Sequence, residues 1–291
     1  MPGYVVKPPS ELLSAGALRS DMEQVNAKVL LHREIAADHY RIRLKAPRIA
    51  RRSKPGQFIH ILCAGPGETN PLLRRPFSLL DADPLAGTID FIYKVVGLGT
   101  AALTRMPAGA DADVIGPLGQ PFECPAALRE AYLIGGGVGI PPMVLLAKHL
   151  LKRLPAKKIH VFIGARLKKW VICAADFRSM GVQLNIATDY GSLGEKGSVV
   201  DLAARRLSGG ERPGMVYICG PTPMMAAAAR LARREEIPAQ VSLEERMGCA
   251  MGVCMGCVVE VTTKTMTSHA RFQRVCTEGP VFPAEAVAWS T

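Results

Sequence analysis

From Gln24 to about Gly119 the chain runs through short apolar segments rich in β-branched residues, each broken by polar turn residues. The segments are VNAKVLLHREIA, DHYRIRLKAP, GQFIHILCA, FSLLDAD, GTIDFIYKVV and DADVIGPLG, separated by Gly, Pro, Asp and Asn. Such segments favour strands, and the residues between them favour turns. Six strands within about a hundred residues predict a small six-stranded antiparallel barrel. The segment TAALTRM, opening after Gly97-Leu98-Gly99, predicts a single helix inserted before the last strand.

After Pro125 the period changes. AYLIGGGVGIPPMVLLAKHLL reads as a buried strand, a glycine turn and a helix, and KIHVFIGA, VQLNIATD and MVYICG are further apolar strands. They alternate with helical stretches such as MMAAAARLARREE, which predicts a doubly wound parallel sheet. A small third unit begins near Val241. In it VVEVTTK and SHARFQRV predict a two-stranded hairpin. Residues 1–21 hold Pro8, Pro9 and a short helical patch, ELLSAGALRS, without a core pattern, and read as an extension. The expected organisation is β plus α/β: extension 1–21, barrel 22–125, α/β domain 126–240 and a C-terminal unit 241–291.

Composition narrows the class. The chain has 291 residues, 48% hydrophobic and 21% charged, enough for two or three compact units with a real core. Aromatics are only 5%, so aliphatic residues and Met must fill that core. MPGYVVKPPS has no apolar run of the kind that opens a signal peptide. The longest uncharged run, Ala131 to Ala147, is cut by Gly135–Gly137, Gly139, Pro141 and Pro142, which suits a strand–turn–helix better than a bilayer span. Cys63, Cys124, Cys173 and Cys219 are scattered singly, without a disulfide framework. The expectation is a cytoplasmic protein in a reducing compartment. The net charge of +11 comes from dispersed clusters at Lys45–Lys54, Lys148–Lys169 and Arg230–Arg234, with no recognition helix or finger pattern beside them. Neither nucleic acid nor membrane is expected as a partner; a solvated basic surface or a face for an acidic partner is.

The remaining four cysteines carry the strongest chemical signal. EERMGCAMGVCMGCV, from Glu244 to Val258, spaces Cys249, Cys254 and Cys257 as C-x4-C-x2-C, and Cys276 follows after eighteen further residues in RVCTEGPVF. Three thiolates on one glycine-rich loop plus one from a distant segment is the plant-type [2Fe–2S] ligand pattern. Gly248, Gly252 and Gly256 let the loop fold tightly and aim N–H groups at sulfur. Met247, Met251, Met255 and Val253 would shield a cluster from water, or are plain packing. The rival is a zinc knuckle, which usually takes two paired C-x-x-C hooks where this chain has one.

Other motifs are weaker singly. IGGGVGIPP, Ile134–Pro142, permits a tight turn and close approach of a dinucleotide, with the following helix N-terminus facing phosphate. It departs from G-x-G-x-x-G, and a ligand-free glycine turn is the alternative. YICGPTPMM, Tyr217–Met225, ends a strand where doubly wound sheets bind ligands. Its Cys219 either touches a nicotinamide or is merely buried. RRPFSLLD, Arg74–Asp81, offers an arginine and a small hydroxyl residue at a strand opening, or is a basic loop. YKVVGLGT, Tyr93–Thr100, offers backbone amides to a pyrophosphate.

Taken in order, RRPFS, YKVVGLGT, IGGGVGIPPM and YICGPTPMM resemble the series in the ferredoxin–NADP reductase superfamily. With the cysteine loop and RVCTEGPVF added, the chain is similar to the electron-transfer subunits of NAD-dependent (class 1B) dihydroorotate dehydrogenases over roughly Gln24–Trp289. The resemblance implies that the barrel binds FAD, with Arg75, Pro76, Phe77 and Ser78 lining the flavin and Ile92, Tyr93, Lys94, Gly99 and Thr100 holding the rest. It implies a nicotinamide nucleotide on Gly135, Gly136, Gly137, Gly139, Gly220 and Pro221. Ser78 near the flavin and Cys219 near the nicotinamide would position the reactants rather than act as acid and base. Cys249, Cys254, Cys257 and Cys276 would ligate the [2Fe–2S] cluster. The implied partner is an FMN-containing catalytic subunit, in a heterotetramer that oxidises dihydroorotate for pyrimidine biosynthesis. Two departures stand out. Tyr190 occupies a place where an acid is common, and Arg166, Lys168 and Lys169 lie where a 2′-phosphate would sit, so NADP stays open beside NAD. Subunits of sulfide dehydrogenases and of NADH-dependent ferredoxin:NADP reductases are alternatives within the class. A zinc-bearing nucleotide-binding regulatory protein is the alternative outside it.

Overall fold

The computed structural model describes residues 22–65, 67–210, 212–262 and 271–289. The expected extension and its helical patch lie outside the described residues, as does the tip of the C-terminal hairpin.

The barrel is built from β1 (Glu23–Ala36), β2 (His39–Lys45), β3 (Phe58–Ile61), β4 (Arg75–Asp83), β5 (Thr88–Lys94) and β6 (Asp111–Leu118). It closes in the order β1-β2-β5-β4-β3-β6, with every pair antiparallel. Alternation sets the faces. In β2, Ile42 and Leu44 are buried, joining Ile59, Ile61, Leu79, Ile89, Phe91 and Val114 in the core, while Arg41 and Arg43 point outward. Two short helices attend the barrel rather than the one expected. The first, α1 (Pro47–Arg52), starts on a proline and buries Ile49 and Ala50. Its two apolar residues are hidden in sequence among the arginines and lysines of the basic cluster Lys45–Lys54. The second, α2 (Leu98–Leu103), is the expected helix begun two residues earlier. There the Thr100 hydroxyl accepts hydrogen bonds from the Val96 and Gly97 N–H groups at 2.9 and 3.2 Å.

The α/β domain contains β7 (Ala131–Gly136), α3 (Ile140–Leu150), β8 (Ile159–Ala165), α4 (Ala174–Ser179), β9 (Gln183–Thr188), β10 (Glu195–Lys196), α5 (Val199–Ser208), β11 (Met215–Cys219), α6 (Thr222–Arg234) and β12 (Ala239–Ser242). Successive residues of one strand feed opposite layers. Tyr132 and Ile134 pack with α5 and α6, whereas Leu133 packs with α3 and α4. That is double winding, as expected.

Three strands complete the C-terminal unit: β13 (Val258–Glu260), β14 (Phe272–Arg274) and β15 (Val281–Pro283). The antiparallel β13–β14 pair is the expected hairpin in its described part. β15 leaves this unit and pairs antiparallel with β12, so the sheet reads β10-β9-β8-β7-β11-β12-β15. The sheet is therefore parallel with one antiparallel edge, a feature not foreseen because VFP is too short to announce itself. β12 also runs through position 240, where a domain division was expected.

Candidate flavin, nucleotide and iron–sulfur sites

Residues paired directly across an antiparallel ladder point to the same side. Phe58 pairs with Ser78 and His60 with Pro76, so β3 and β4 present Phe58, Pro76 and Ser78 on one face. These residues, with Phe77, line a cavity of about 260 Å³ that Ile92, Tyr93, Lys94 and Thr100 close from β5 and α2. Seven of the residues expected at the flavin thus converge, although they come from two separate motifs. Arg75 and Gly99 meet beside them. A Cβ on Gly99 would stand 2.8 Å from Arg75 Nε, so only glycine lets the guanidinium lie against this loop. Arg74 is tied elsewhere, in an ion pair with Asp113 at 2.5 Å. The far walls come from Val138 in the glycine turn and from Leu243, Glu244 and Met247 ahead of the cysteine loop.

Glu244 was not singled out in the sequence. Its residue surface is open to solvent at the cavity, but protein surrounds the carboxyl on most sides and this burial pushes it up to about 7. The signal for it was slight: the first acid after the apolar strand QVSL. Cys219, expected near the nicotinamide, ends β11 and is fully buried. It does not line the cavity. Burial, and then the nearby Glu244 carboxylate, hold its thiol well above the usual range, against a hydrogen bond with Ser242. It is a protonated, sealed thiol, suited to packing.

The sheet order reverses between β7 and β11, which is the switch point where such sheets bind ligands. Gly135 and Gly136 end β7, Gly137 turns with φ of 55°, and Gly139 opens α3. A Cβ on Gly139 would lie 2.4 Å from the Cys219 backbone. The close approach it permits is therefore to the Cys219-Gly220 turn, which seats α3 against β11. Gly220 and the exposed Pro221 form the other side of this turn. The expected phosphate seat at the helix N-terminus is blunted. Pro141 and Pro142 have no N–H to offer, and the Ile140 N–H is used by the Gly137 carbonyl. Cations gather close by instead. Lys169 Nζ, Lys94 Nζ and the Arg166 guanidinium lie 5.0, 5.4 and 6.0 Å from the Trp170 ring centre. Lys168 is exposed next to them, and its N–H donates to Ser192 Oγ at 2.9 Å. Tyr190 is 65% exposed on the following loop.

The cysteine loop is wound by left-handed residues at Ala250, Gly252 and Met255. This winding turns successive N–H groups inward, as in an anion-binding nest. Cys249 Sγ accepts hydrogen bonds from the N–H groups of Val253, Cys254 and Met251 at 3.3, 3.4 and 3.5 Å. Burial opposes the thiolate, but these donors prevail and bring Cys249 down to about 7. Cys276 is pushed up to about 12 by burial and by Cys257 beside it. The Arg274 side chain reaches back to the Gly252 carbonyl at 2.8 Å and binds Glu278, clamping the returning segment to the loop. Among the described residues no three ligating side chains converge as the ligands of a single ion would. Thiol hydrogen bonds link Cys249 with Cys254 and Cys257 with Cys276, and Cys249 also acts electrostatically on Cys276. Two cysteines at each of two irons is what a four-cysteine [2Fe–2S] cluster takes, so the donor set fits that group. The expected apolar shield is only partial. Met247 is buried, but Met255 and Val253 are 52% and 76% exposed and point away.

Comparison with known proteins agrees with this geometry. Residues 244–288 match the iron–sulfur cluster binding domain of dihydroorotate dehydrogenase B, and residues 133–230 match the oxidoreductase NAD-binding domain. The chain is 38% identical to the dihydroorotate dehydrogenase B (NAD(+)) electron transfer subunit of Desulforamulus reducens, over 91% of this chain and 98% of that one. It is 40% identical to the same subunit of Geobacillus thermodenitrificans, over 89% and 96%. Among solved structures it resembles a chain of the NADH-dependent reduced ferredoxin–NADP oxidoreductase, with a TM-score of 0.79 and 31% identity over 91% and 90%. A cavity shared by barrel, glycine turn and cysteine loop, four paired thiols and these likenesses agree: the chain belongs to the family of electron-transfer subunits of dihydroorotate dehydrogenase B (NAD(+)).

Proposed function

We propose that this chain passes electrons from a dihydroorotate-oxidising catalytic subunit, through a [2Fe–2S] cluster and FAD, to NAD+. One observation carries the reading: a single cavity has walls from the barrel, the α/β domain and the segment leading into the cysteine loop. A bound flavin exchanges two electrons as hydride with nicotinamide and also passes them singly, whereas a cluster moves one at a time. The chain's own residues set the geometry. Phe58, Pro76 and Tyr93 give the cavity apolar walls and Ser78 brings a hydroxyl to it, while the Thr100 hydroxyl is taken up in capping α2. Lys94, Arg166 and Lys169 supply charge for a dinucleotide's phosphates where α3 lacks N–H donors, and they leave 2′-phosphorylated nucleotides within reach. Cys249, Cys254, Cys257 and Cys276 are the cluster ligands in this reading.

The family name implies a catalytic partner, which we take to be an FMN-containing subunit in a heterotetramer. Its dock is the outer face of the cysteine loop, where Cys254 is exposed among Val253, Met255, Val258 and Phe272. Among the described residues no helix is long and apolar enough to cross a membrane. We take the location to be cytoplasmic, as the scattered single cysteines Cys63, Cys124, Cys173 and Cys219 suit a reducing compartment. We draw the functional units as 22–125, 126–242 and 243–289, which keeps β12 whole.

The test mixes the purified chain, carrying its cofactors, with the FMN-containing subunit and dihydroorotate, and follows NAD+ reduction. Activity is expected. Cys254→Ser is expected to abolish this transfer while NADH oxidation by an artificial dye continues. If both activities survive the substitution, the route through the cluster is wrong. Activity with reduced ferredoxin in place of dihydroorotate would favour the second reading, which the solved ferredoxin–NADP oxidoreductase likeness supports.

A further inference from the structure

His32 belongs to none of the sequence motifs, yet its ring bonds Tyr93, which lines the cavity. Beyond Val29, whose N–H and C=O bond to Ala110 and Gly109, β1 pairs with β2, and side chains help to close this end of the barrel. Tyr93, 1% exposed, is one of them and also lines the cavity. Its ring stacks on Tyr40, with centres 5.5 Å apart and planes 17° from parallel, and leans on Phe77 at 5.7 Å. Stacking lets a ring slide in its plane. Packing confines the ring, and its hydroxyl is directed by His32 Nε2 at 3.0 Å.

The partners decide the proton positions. The Met106 carbonyl, 2.7 Å from His32 Nδ1, can only accept. Nδ1 therefore carries the hydrogen, and Nε2 of the neutral ring accepts from the Tyr93 hydroxyl. A doubly protonated ring would turn the second bond round and leave the phenol proton without its acceptor. The chain Tyr93 O–H to His32 to Met106 C=O thus ties β5 to β1 and to the segment after α2, sixty-one residues separating His32 from Tyr93.

We propose that His32 is a positioning residue for FAD binding: by anchoring the Tyr93 hydroxyl it sets the ring, and with it Ile92 and Lys94, as the wall against which the flavin seats. This rests on the reading of the cavity as the FAD site.

The experiment titrates FAD into the flavin-stripped full-length protein and follows quenching of flavin fluorescence, with melting temperature and cluster absorbance recorded in parallel. His32→Phe keeps the volume but strands a buried phenol proton and a carbonyl. It is expected to weaken FAD binding about tenfold, the scale of one buried donor left without an acceptor, with the cluster absorbance unchanged. His32→Gln, whose amide can donate to Met106 and accept from Tyr93, is expected to stay within about threefold of wild type. The His32→Phe/Tyr93→Phe double variant should bind no more weakly than the worse single variant, because both break one bond. A residue serving stability alone would lower the melting temperature and leave FAD affinity untouched, which would overturn the proposal. So would full additivity in the double variant, or His32→Gln as impaired as His32→Phe. If His32→Phe does not fold, His32→Gln and Tyr93→Phe decide: near-wild-type binding by the first with weakened binding by the second supports the proposal, and any other pair of results overturns it. A wild-type chain that takes up no flavin overturns the reading of the cavity itself; a wild type that binds while His32→Phe binds equally overturns His32 alone.

Discussion

Glu244 shows how much one side chain's surroundings decide. In sequence it is one of three charged residues in a row, Glu244-Glu245-Arg246. In the fold it borders the cavity proposed for the flavin; its surface stays open to solvent, but the protein packed about the carboxyl raises it from 4.5 to about 7. A carboxyl whose folded value lies above its unfolded one binds its proton more tightly when folded. The stability it contributes is complete below about 4.5 and is lost as pH rises through about 7. In the flavin-free protein, the melting temperature of wild type relative to Glu244→Gln should therefore fall as pH climbs across that window. A difference independent of pH would show that the carboxyl titrates normally. Cys219 makes the complementary point. Its place at a strand end was legible, but whether that end opens to the cavity depends on α3 packing over it through Gly139, and it is sealed.

At the scale of elements, the barrel and the α/β domain are joined through charge as well as apolar packing. Asp90 on β5, its side chain 2% exposed, receives Arg41 at 2.5 Å and Arg43 at 2.7 Å from β2. Arg41 reaches on to Asp176 of α4 at 3.5 Å, so one guanidinium links the two domains. Removing the carboxylate would leave Arg41, only 18% exposed, without its main partner. Breaking a buried pair from one side costs about 3–5 kcal/mol, against about 0–1 for an exposed pair. Asp90→Ala is expected to cost about 3 kcal/mol in chemical denaturation, whereas Arg205→Ala, which breaks the half-exposed pair with Glu195, should be near neutral. The strands that build this region were readable because Val, Ile, Phe and Tyr alternate in them. The helix α1 was not, because a six-residue element with two buried residues shows no period.

For the whole molecule, the arrangement of units places the exits. The cavity proposed for the flavin lies where three units meet, and the cysteine loop continues from its wall to the surface. Val253, Met255, Val258 and Phe272 are 76%, 52%, 39% and 55% exposed beside Cys254. Neighbouring apolar side chains left in water mark an interaction surface more than a folding need. Val253→Asp with Met255→Asp should abolish co-elution with the catalytic subunit in size-exclusion chromatography and dihydroorotate-driven NAD+ reduction, while NADH oxidation by a dye persists. Retained co-elution would place the dock elsewhere.

Much of this was legible along the chain, and the reason is distance. Cysteine spacing, strand alternation and the glycine turn are local: each follows from how a few consecutive residues bend and which side they bury. They were sufficient for the barrel and the double winding, and they carry the cluster ligands we propose as a set. What depended on residues far apart had no local signature. The pairing of β15 with β12, the sealing of Cys219, the approach of Lys94 to Trp170, the meeting of Glu244 with the barrel cavity and the His32–Tyr93 bond are all of this kind. Each is a contact between segments that the chain brings together only when it closes on itself. The sequence by itself determined which groups this protein can hold; the tertiary structure decided which side chains face them, because facing is a property of packing and not of order along the chain.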